Sequence, residues 1–277
     1  MSKALFTLIL FICLTAKAQE QTLAPNGVLI HFYEDIEGKT ASVGDIMSLH
    51  IKTYLGGDSL FFSSYDQKAP IDYTIEESGF KGDFMSGLHL LSQGDSACFW
   101  VPVDSILAHG TPSIGEKGSF LKYVVKVYAL DDPVQFQIKR NEIIRLRFIE
   151  EMKILSEYFK NKKSKPTITN SGLHYIINKK GDGPKGEFRR KVKVHYSGKV
   201  LNGNHFDSSY KRGEPISFVT GLEMVIPGWE EALLLLNVGD KATIYIPSKL
   251  AYGIKGNGDA IPPNSILEFD MEFVEMY

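Results

Sequence analysis

Between residues 191 and 196 the chain alternates strictly. Val192, Val194 and Tyr196 fall on one side of an extended segment, with Lys191, Lys193 and His195 on the other. Such period-2 alternation predicts a strand with one buried face. It recurs at Ala242, Ile244 and Ile246, and again at Leu267, Phe269, Met271 and Phe273. A matching set stands earlier in the chain, at Met47, Leu49 and Ile51, at Ala97, Phe99 and Val101, and at Leu121, Tyr123, Val125 and Val127. Between the two sets the period changes. Pro133 opens a run without Gly or Pro from Val134 to Lys165, in which Ile143, Ile144, Leu146, Ile149, Met152, Leu155 and Phe159 recur at spacings of three and four. That spacing predicts one long amphipathic helix. Its role is open between a spacer packed on one domain and an arm for dimerisation or client contact. A second, short helical run follows Val225-Ile226-Pro227-Gly228-Trp229, with Gly228 read as a sharp turn and Pro227 as a residue tolerated just before a helix. A Trp at the mouth of such a run is, on its own, ordinary core.

The two strand sets are related by one constant offset of 145 residues. Ser63-Ser64-Tyr65 recurs as Ser208-Ser209-Tyr210, and Gly94-Asp95 as Gly239-Asp240. Gly27, His50, Pro70, Ala97 and Pro102 meet Gly172, His195, Pro215, Ala242 and Pro247. A duplicated domain explains this. At the last strand the register slips by one, which a one-residue difference in the preceding loop would produce. Short strands, one short helix and Gly/Pro-rich loops predict an antiparallel α+β domain, twice, joined by the helix. The expected organisation is a signal peptide at 1–18, a first domain at 19–132, a linker helix at 133–165 and a second domain at 166–277.

Composition narrows the function. The length of 277 residues suits two domains, and 43% hydrophobic with 23% charged residues is globular. A net charge of −2 argues against nucleic acid as a partner. The first 18 residues read as an export signal: Lys3, an apolar run from Leu5 to Thr15, then Ala16-Lys17-Ala18. Cleavage before Gln19 removes Lys3 and Lys17 and takes the net charge from −2 to −4. No later apolar stretch predicts a membrane span. Cys13 lacks the small preceding residue of a lipidation site, so a lipid anchor is disfavoured. Export leaves Cys98 as a lone strand residue, without an intramolecular disulfide. The seven His residues show no metal-ligand spacing, and no metal or cofactor is expected. Gly181-x-Gly183-x-x-Gly186 matches a dinucleotide fingerprint by letters, but Glu187-Phe188-Arg189-Arg190 leads into a strand and not a helix, so that reading is rejected.

One constellation carries chemistry. Val194-His195-Tyr196-Ser197-Gly198, Phe206-Asp207-Ser208-Ser209, Val225-Ile226-Pro227-Gly228-Trp229-Glu230-Glu231, Leu250-Ala251-Tyr252-Gly253 and Ile261-Pro262-Pro263-Asn264-Ser265 stand in this order along 170–277. In these motifs and their spacing the sequence resembles the FK506-binding-protein family of peptidyl-prolyl isomerases, strongly over 170–277 and weakly over 25–130. The resemblance implies an antiparallel sheet curved around a short helix, and a pocket for a prolyl ring. Its floor is Trp229, its walls are Tyr196, Phe206, Val225, Ile226 and Phe269, and its polar contacts come from Tyr252, Asp207 and the Ile226 N–H. Phe218, Ile261 and Ile216 stand at further binding positions. Arg212 occupies the position of a family arginine near Asp207, and exposed surface charge is its other reading. Strand alternation turns Tyr196 inward, where its hydroxyl needs a partner that Asp207 can supply. Ile216, Met224 and Ala260 depart from the family pattern and put substrate preference in question. By the offset, Ile51, Phe62, Phe84 and Leu107 replace Tyr196, Asp207, Trp229 and Tyr252 in the first domain, which is therefore read as catalytically silent. The expected activity is prolyl isomerisation assisting folding in the periplasm or cell envelope, on proline-containing or unfolded polypeptides. The alternative is a non-catalytic chaperone that uses both domains and the helix. A homodimer through the 133–165 helix or the first domain is a further expectation.

Overall fold

The computed structural model describes residues 21–67, 70–110 and 115–277, so the expected signal at 1–18 and Cys13 lie outside the described residues. The chain divides into two compact units, Met1–Ile138 and Lys139–Tyr277. In the first, β1 (Thr22–Leu23), β2 (Leu29–Glu34), β3 (Ile46–Leu55), β4 (Ser59–Ser63), β5 (Ile71–Thr74), β6 (Ser96–Pro102) and β7 (Phe120–Asp131) form one sheet, with short helices α1 (Phe84–Leu88) and α2 (Val103–Ala108). Helix α3 (Pro133–Lys162) comes next. The second unit contains β8 (Thr167–Ile168), β9 (His174–Lys179), β10 (Lys191–Val200), β11 (His205–Ser208), α4 (Ser209–Arg212), β12 (Ile216–Val219), α5 (Pro227–Leu235), β13 (Lys241–Ile246) and β14 (Leu267–Met276).

Both sheets have seven strands, and their strand order is the same. The first runs β1-β2-β6-β7-β3-β4 with β5 also on β3, and the second runs β8-β9-β13-β14-β10-β11 with β12 also on β10. All the pairings are antiparallel, which gives each unit the expected α+β architecture. The offset is carried by contacts as well as letters. Ser64 Oγ lies 2.8 Å from the Ile51 N and 2.9 Å from His50 Nδ1, and Ser209 Oγ lies 2.7 Å from the Tyr196 N and 3.0 Å from His195 Nδ1. Asp95 accepts from the Ile36 and Ser92 amides as Asp240 does from those of Gly181 and Asn237. The slip is also present. Ala97 pairs with Val125, while Ala242 pairs with Met271, so the last strand of the second unit sits one residue further on.

Each unit has its own core. In the second, Val192, Val194, Ile244, Phe269 and Phe273 close around α5. The i, i+3, i+4 set Trp229, Ala232 and Leu233 puts one face of α5 on the sheet, and Leu236 at its C-cap is buried beside them. Burying a Leu or Phe there stabilises by about 1.5–3 kcal/mol. The glycines of the rejected fingerprint serve packing. A Cβ on Gly186 would meet the Leu233 carbonyl oxygen at 2.0 Å, so this loop can cross the end of α5 only as glycine.

Helix α3 is capped by Asp132, whose carboxylate accepts from the Val134 and Gln135 amides at 2.9 and 3.0 Å. It ends at Lys162 rather than 165. Most of it belongs to the second unit, where Leu155 and Phe159 pack on Tyr245 and Ile266. The apolar face differs from the expected one. Ile144, Phe148, Met152, Leu155 and Phe159 are buried or half-buried, while Ile143, Leu146 and Ile149 are exposed. Neighbours such as Ile143 and Ile144 point about 100° apart on a helix, so one stripe cannot hold both. Among the described residues no helix is long and apolar enough to cross a membrane. Cys98 is buried on β6, and burial pushes its thiol up to about 11, as befits an inert strand residue.

Candidate active site

Five elements of the second unit place the site. Strand β10 turns Tyr196 inward, and the buried Ser209 hydroxyl pins its backbone. Strand β11 brings Phe206 and Asp207, α4 brings Arg212, α5 opens with Trp229, and β14 supplies Phe269. Trp229 is only 3% exposed. Its ring meets Tyr196 edge-on at 4.8 Å, Phe269 edge-on at 5.2 Å and Phe218 tilted at 6.2 Å. Phe206 meets Phe269 edge-on at 5.6 Å. These T-shaped arrangements set the positive edge of one ring on the negative face of another, beyond simple burial. Ile261 is buried in the same core, with Ile216, Val225 and Ile226 packed on it. Among the described residues no acceptor takes the Ile226 N–H, which stands just before α5. The Trp229 indole N–H is likewise buried without a partner among them.

Gly228 does not make the turn expected of it. Pro227 is the first residue of α5, and Gly228 lies inside the helix. A Cβ there would come within 2.4 Å of Ile246, so Gly228 lets the helix approach β13 and seats Trp229 low in the sheet. Gly198, quoted in the motif but given no role, has a similar function. A Cβ there would meet Phe269 at 2.5 Å and Phe206 at 2.9 Å, so only glycine leaves room for this ring pair.

A polar triad closes one edge. The Tyr196 hydroxyl donates to Asp207 Oδ2, Arg212 donates to Asp207 Oδ1, and Arg212 also donates to the Tyr196 hydroxyl at 2.7 Å. The Ser208 amide donates to Asp207 Oδ1 at 2.7 Å. Burial pushes the Asp207 carboxyl up, but the hydrogen bonds from Tyr196, Arg212 and Ser208 and the Arg212 charge outweigh it and hold it below its ordinary value. Burial first, then the bond to Asp207, pushes the Tyr196 hydroxyl up, with Arg212 opposing. Arg212 is thus a partner of the triad.

Tyr252 is placed differently from the ring cluster. It is 37% exposed and lines a cavity of about 270 Å³ with Arg147 and Phe148 of α3. The loop that carries it is fastened by a residue the sequence did not single out. Glu151 of α3, fully buried, accepts from the Ser248 amide at 2.9 Å and from Arg147 Nε at 3.1 Å, and Arg147 donates to the Asn264 carbonyl at 3.0 Å. Only a charged residue inside an apolar stripe marked it in sequence. In the first unit, Phe84 sits where Trp229 does and contacts Tyr73, Phe99 and Tyr123 at 5.5, 5.9 and 4.8 Å. The corresponding edge position holds Phe62 in place of Asp207.

An antiparallel sheet closed on one short helix, with an aromatic cluster at the helix start and a Tyr–Asp–Arg edge, makes up the second unit, and the similarity to known proteins falls on this unit. Residues 184–274 match the family described as FKBP-type peptidyl-prolyl cis-trans isomerase. The chain is 42% identical over 146 residues to FKBP-type peptidyl-prolyl cis-trans isomerase FkpA of Aeromonas hydrophila, which covers 50% of this chain and 53% of that protein. It is 47% identical over 116 residues to the FKBP-type 22 kDa peptidyl-prolyl cis-trans isomerase of Escherichia coli K12, covering 42% and 55%. The crystal structure of AtFKBP13 is 38% identical at a TM-score of 0.40, over 41% of this chain and 99% of that one. The chain spans about half the length of the first curated relatives it matches.

Proposed function

We propose that the second unit catalyses cis–trans isomerisation of X-Pro bonds in polypeptide clients. The observation that carries this is the set of rings around Trp229, edged by Tyr196, Asp207 and Arg212. Rotation about the peptide bond costs about 18–20 kcal/mol because amide resonance is lost, and X-Pro bonds exchange over tens to hundreds of seconds. No nucleophile or proton transfer is required. A prolyl ring on Trp229 places its amide in an apolar site, which disfavours the charge-separated planar form. The Ile226 N–H and the Tyr252 hydroxyl are the donors for the client carbonyls. Contacts that fit the twisted amide better than either planar one lower the barrier, and a thousandfold acceleration needs about 4 kcal/mol. The test is the exchange rate of a Pro-containing peptide with the full chain, beside Trp229→Phe and Asp207→Ala. No acceleration by the unaltered chain, or equal rates for all three, sinks the reading.

The export signal read at residues 1–18 supports work in the cell envelope. A chain lacking residues 2–18 should stay in the cytoplasm when fractions are probed. The first unit supports a second, non-catalytic role. It keeps the fold without the polar edge and exposes Leu60, Phe61 and Tyr65 on and beside β4, a surface suited to unfolded chains. Loss of aggregation suppression in the full chain with Leu60→Asp and Phe61→Asp is expected, and unchanged suppression counts against it. Exposed Ile143, Leu146 and Ile149 on α3 support self-association, which sedimentation of Leu146→Glu would reveal as a lost dimer.

A further inference from the structure

We propose that the cavity between α3 and the loop carrying Tyr252 is a subsite for an acidic side chain flanking the client proline. The inference rests on the isomerase reading and names a client class for that site. The cavity, about 270 Å³, is lined by Arg140, Arg147, Lys249, Lys255, Phe148 and Tyr252 among others. That volume lies just below the roughly 300–1,000 Å³ of small-molecule pockets and suits one or two side chains.

Its charge is one-sided. The only carboxylate in the lining is Glu151, and it is already engaged by Arg147 and the Ser248 amide. Arg147 is ion-paired with Glu150 and Glu151. Lys249 and Lys255 have no carboxylate partner among the described residues. Lys249 Nζ instead sits 3.4 Å from the centre of the Phe148 ring, which holds the ammonium at the cavity wall. The chain as a whole is negative, at −2. Its overall field therefore repels acidic chains, and a preference for them has to come from this local patch.

The connection to catalysis runs through Tyr252. It lines the cavity, and it is the residue to which the family resemblance gives a substrate contact. A client whose prolyl ring sits on Trp229 and whose carbonyl meets Tyr252 would carry an adjacent residue towards Lys249 and Lys255. These lysines are exposed, so each charge contact is worth only about 1 kcal/mol or less and salt weakens it within a Debye length of about 10 Å at 0.1 M.

The experiment uses the full chain and three peptides that differ only in carrying Glu, Gln or Lys beside a common X-Pro-Phe unit. At low salt, kcat/KM for the Glu peptide should exceed that for the Lys peptide by about fivefold, mostly through KM, two weak charge contacts giving this order of ratio. Added NaCl should narrow the ratio. The pair Lys249→Gln with Lys255→Gln should bring it close to one, and Lys249→Glu with Lys255→Glu should invert it. A ratio unchanged in both variants, or a preference for the Lys peptide in the unaltered chain, overturns the subsite while leaving isomerase activity established. If the unaltered chain accelerates none of the peptides, the isomerase reading fails. Fluorescence anisotropy of the labelled peptides then decides the cavity separately. Glu-peptide binding that weakens in the charge-reversed variant upholds anion recognition there, and equal binding of Glu and Lys peptides overturns it.

Discussion

Trp229 is held by Tyr196, Phe218 and Phe269 at ring distances of 4.8–6.2 Å, and Phe84 takes its place in the first unit. Phenylalanine therefore suffices for this fold. Trp229→Phe removes buried ring atoms and should cost stability, but less than the about 3–5 kcal/mol of a full truncation to Ala, yet lower kcat/KM clearly, which urea melts and peptide exchange rates separate. Gly198→Ala should act through space. The added methyl enters the Phe206–Phe269 pair, and overpacking of this kind costs about 1–3 kcal/mol with loss of turnover. Asp207 gives a pH signature. Its folded carboxyl lies below the ordinary value, so its stabilising contacts are complete above the unfolded pKa, about 3.9. They are lost only as pH falls through the lower folded value. Activity should hold as pH drops to about 4, and the acid limb should vanish in Asp207→Asn when kcat/KM is followed against pH. Tyr196 was legible in sequence because strand alternation turns it inward, whereas Asp207 and Trp229 were legible only through the family resemblance of the motifs that hold them. Gly198 was not legible as a functional position, since the rings it makes room for come from β11 and β14.

At the scale of the element, α3 behaves as part of the second unit. Its Glu151 supplies an acceptor to the Ser248 amide and a counterion to Arg147, all at the foot of the Tyr252 loop. Glu151→Ala leaves a buried amide unpaired, which costs about 1–3 kcal/mol. Denaturant unfolding should register that loss, and the KM for peptides should rise as the loop loosens. Glu151→Gln, which keeps an acceptor, should recover part of both. The helix itself was predictable from the absence of Gly and Pro and from its 3.6-residue period. Its packed face was not, because apolar residues occupy more than one stripe and only the partner surface of Tyr245 and Ile266 selects among them.

For the whole molecule, the proposed catalytic residues all lie in the second unit, and each unit closes its own core. A cavity made in the first core should therefore leave catalysis intact. Leu49→Ala removes a fully buried side chain and should cost the first unit about 2–5 kcal/mol. Peptide isomerisation measured well below the melting temperature should not change, and a parallel fall in turnover would contradict the assignment of catalysis to the second unit. The sequence by itself determined the strand faces, the long helix and the 145-residue correspondence. These come from short-range periodicity and from residue types at fixed spacing, and neither depends on a distant neighbour. The residues of the aromatic cluster were reached from the sequence only through the resemblance of its motifs to a known family. Only the tertiary structure decided that α3 clamps the Tyr252 loop, that Arg212 completes the Tyr196–Asp207 edge, and that Tyr252 borders a cationic cavity. Each of these is a contact across the chain, set by how the packed elements meet and not by local pattern.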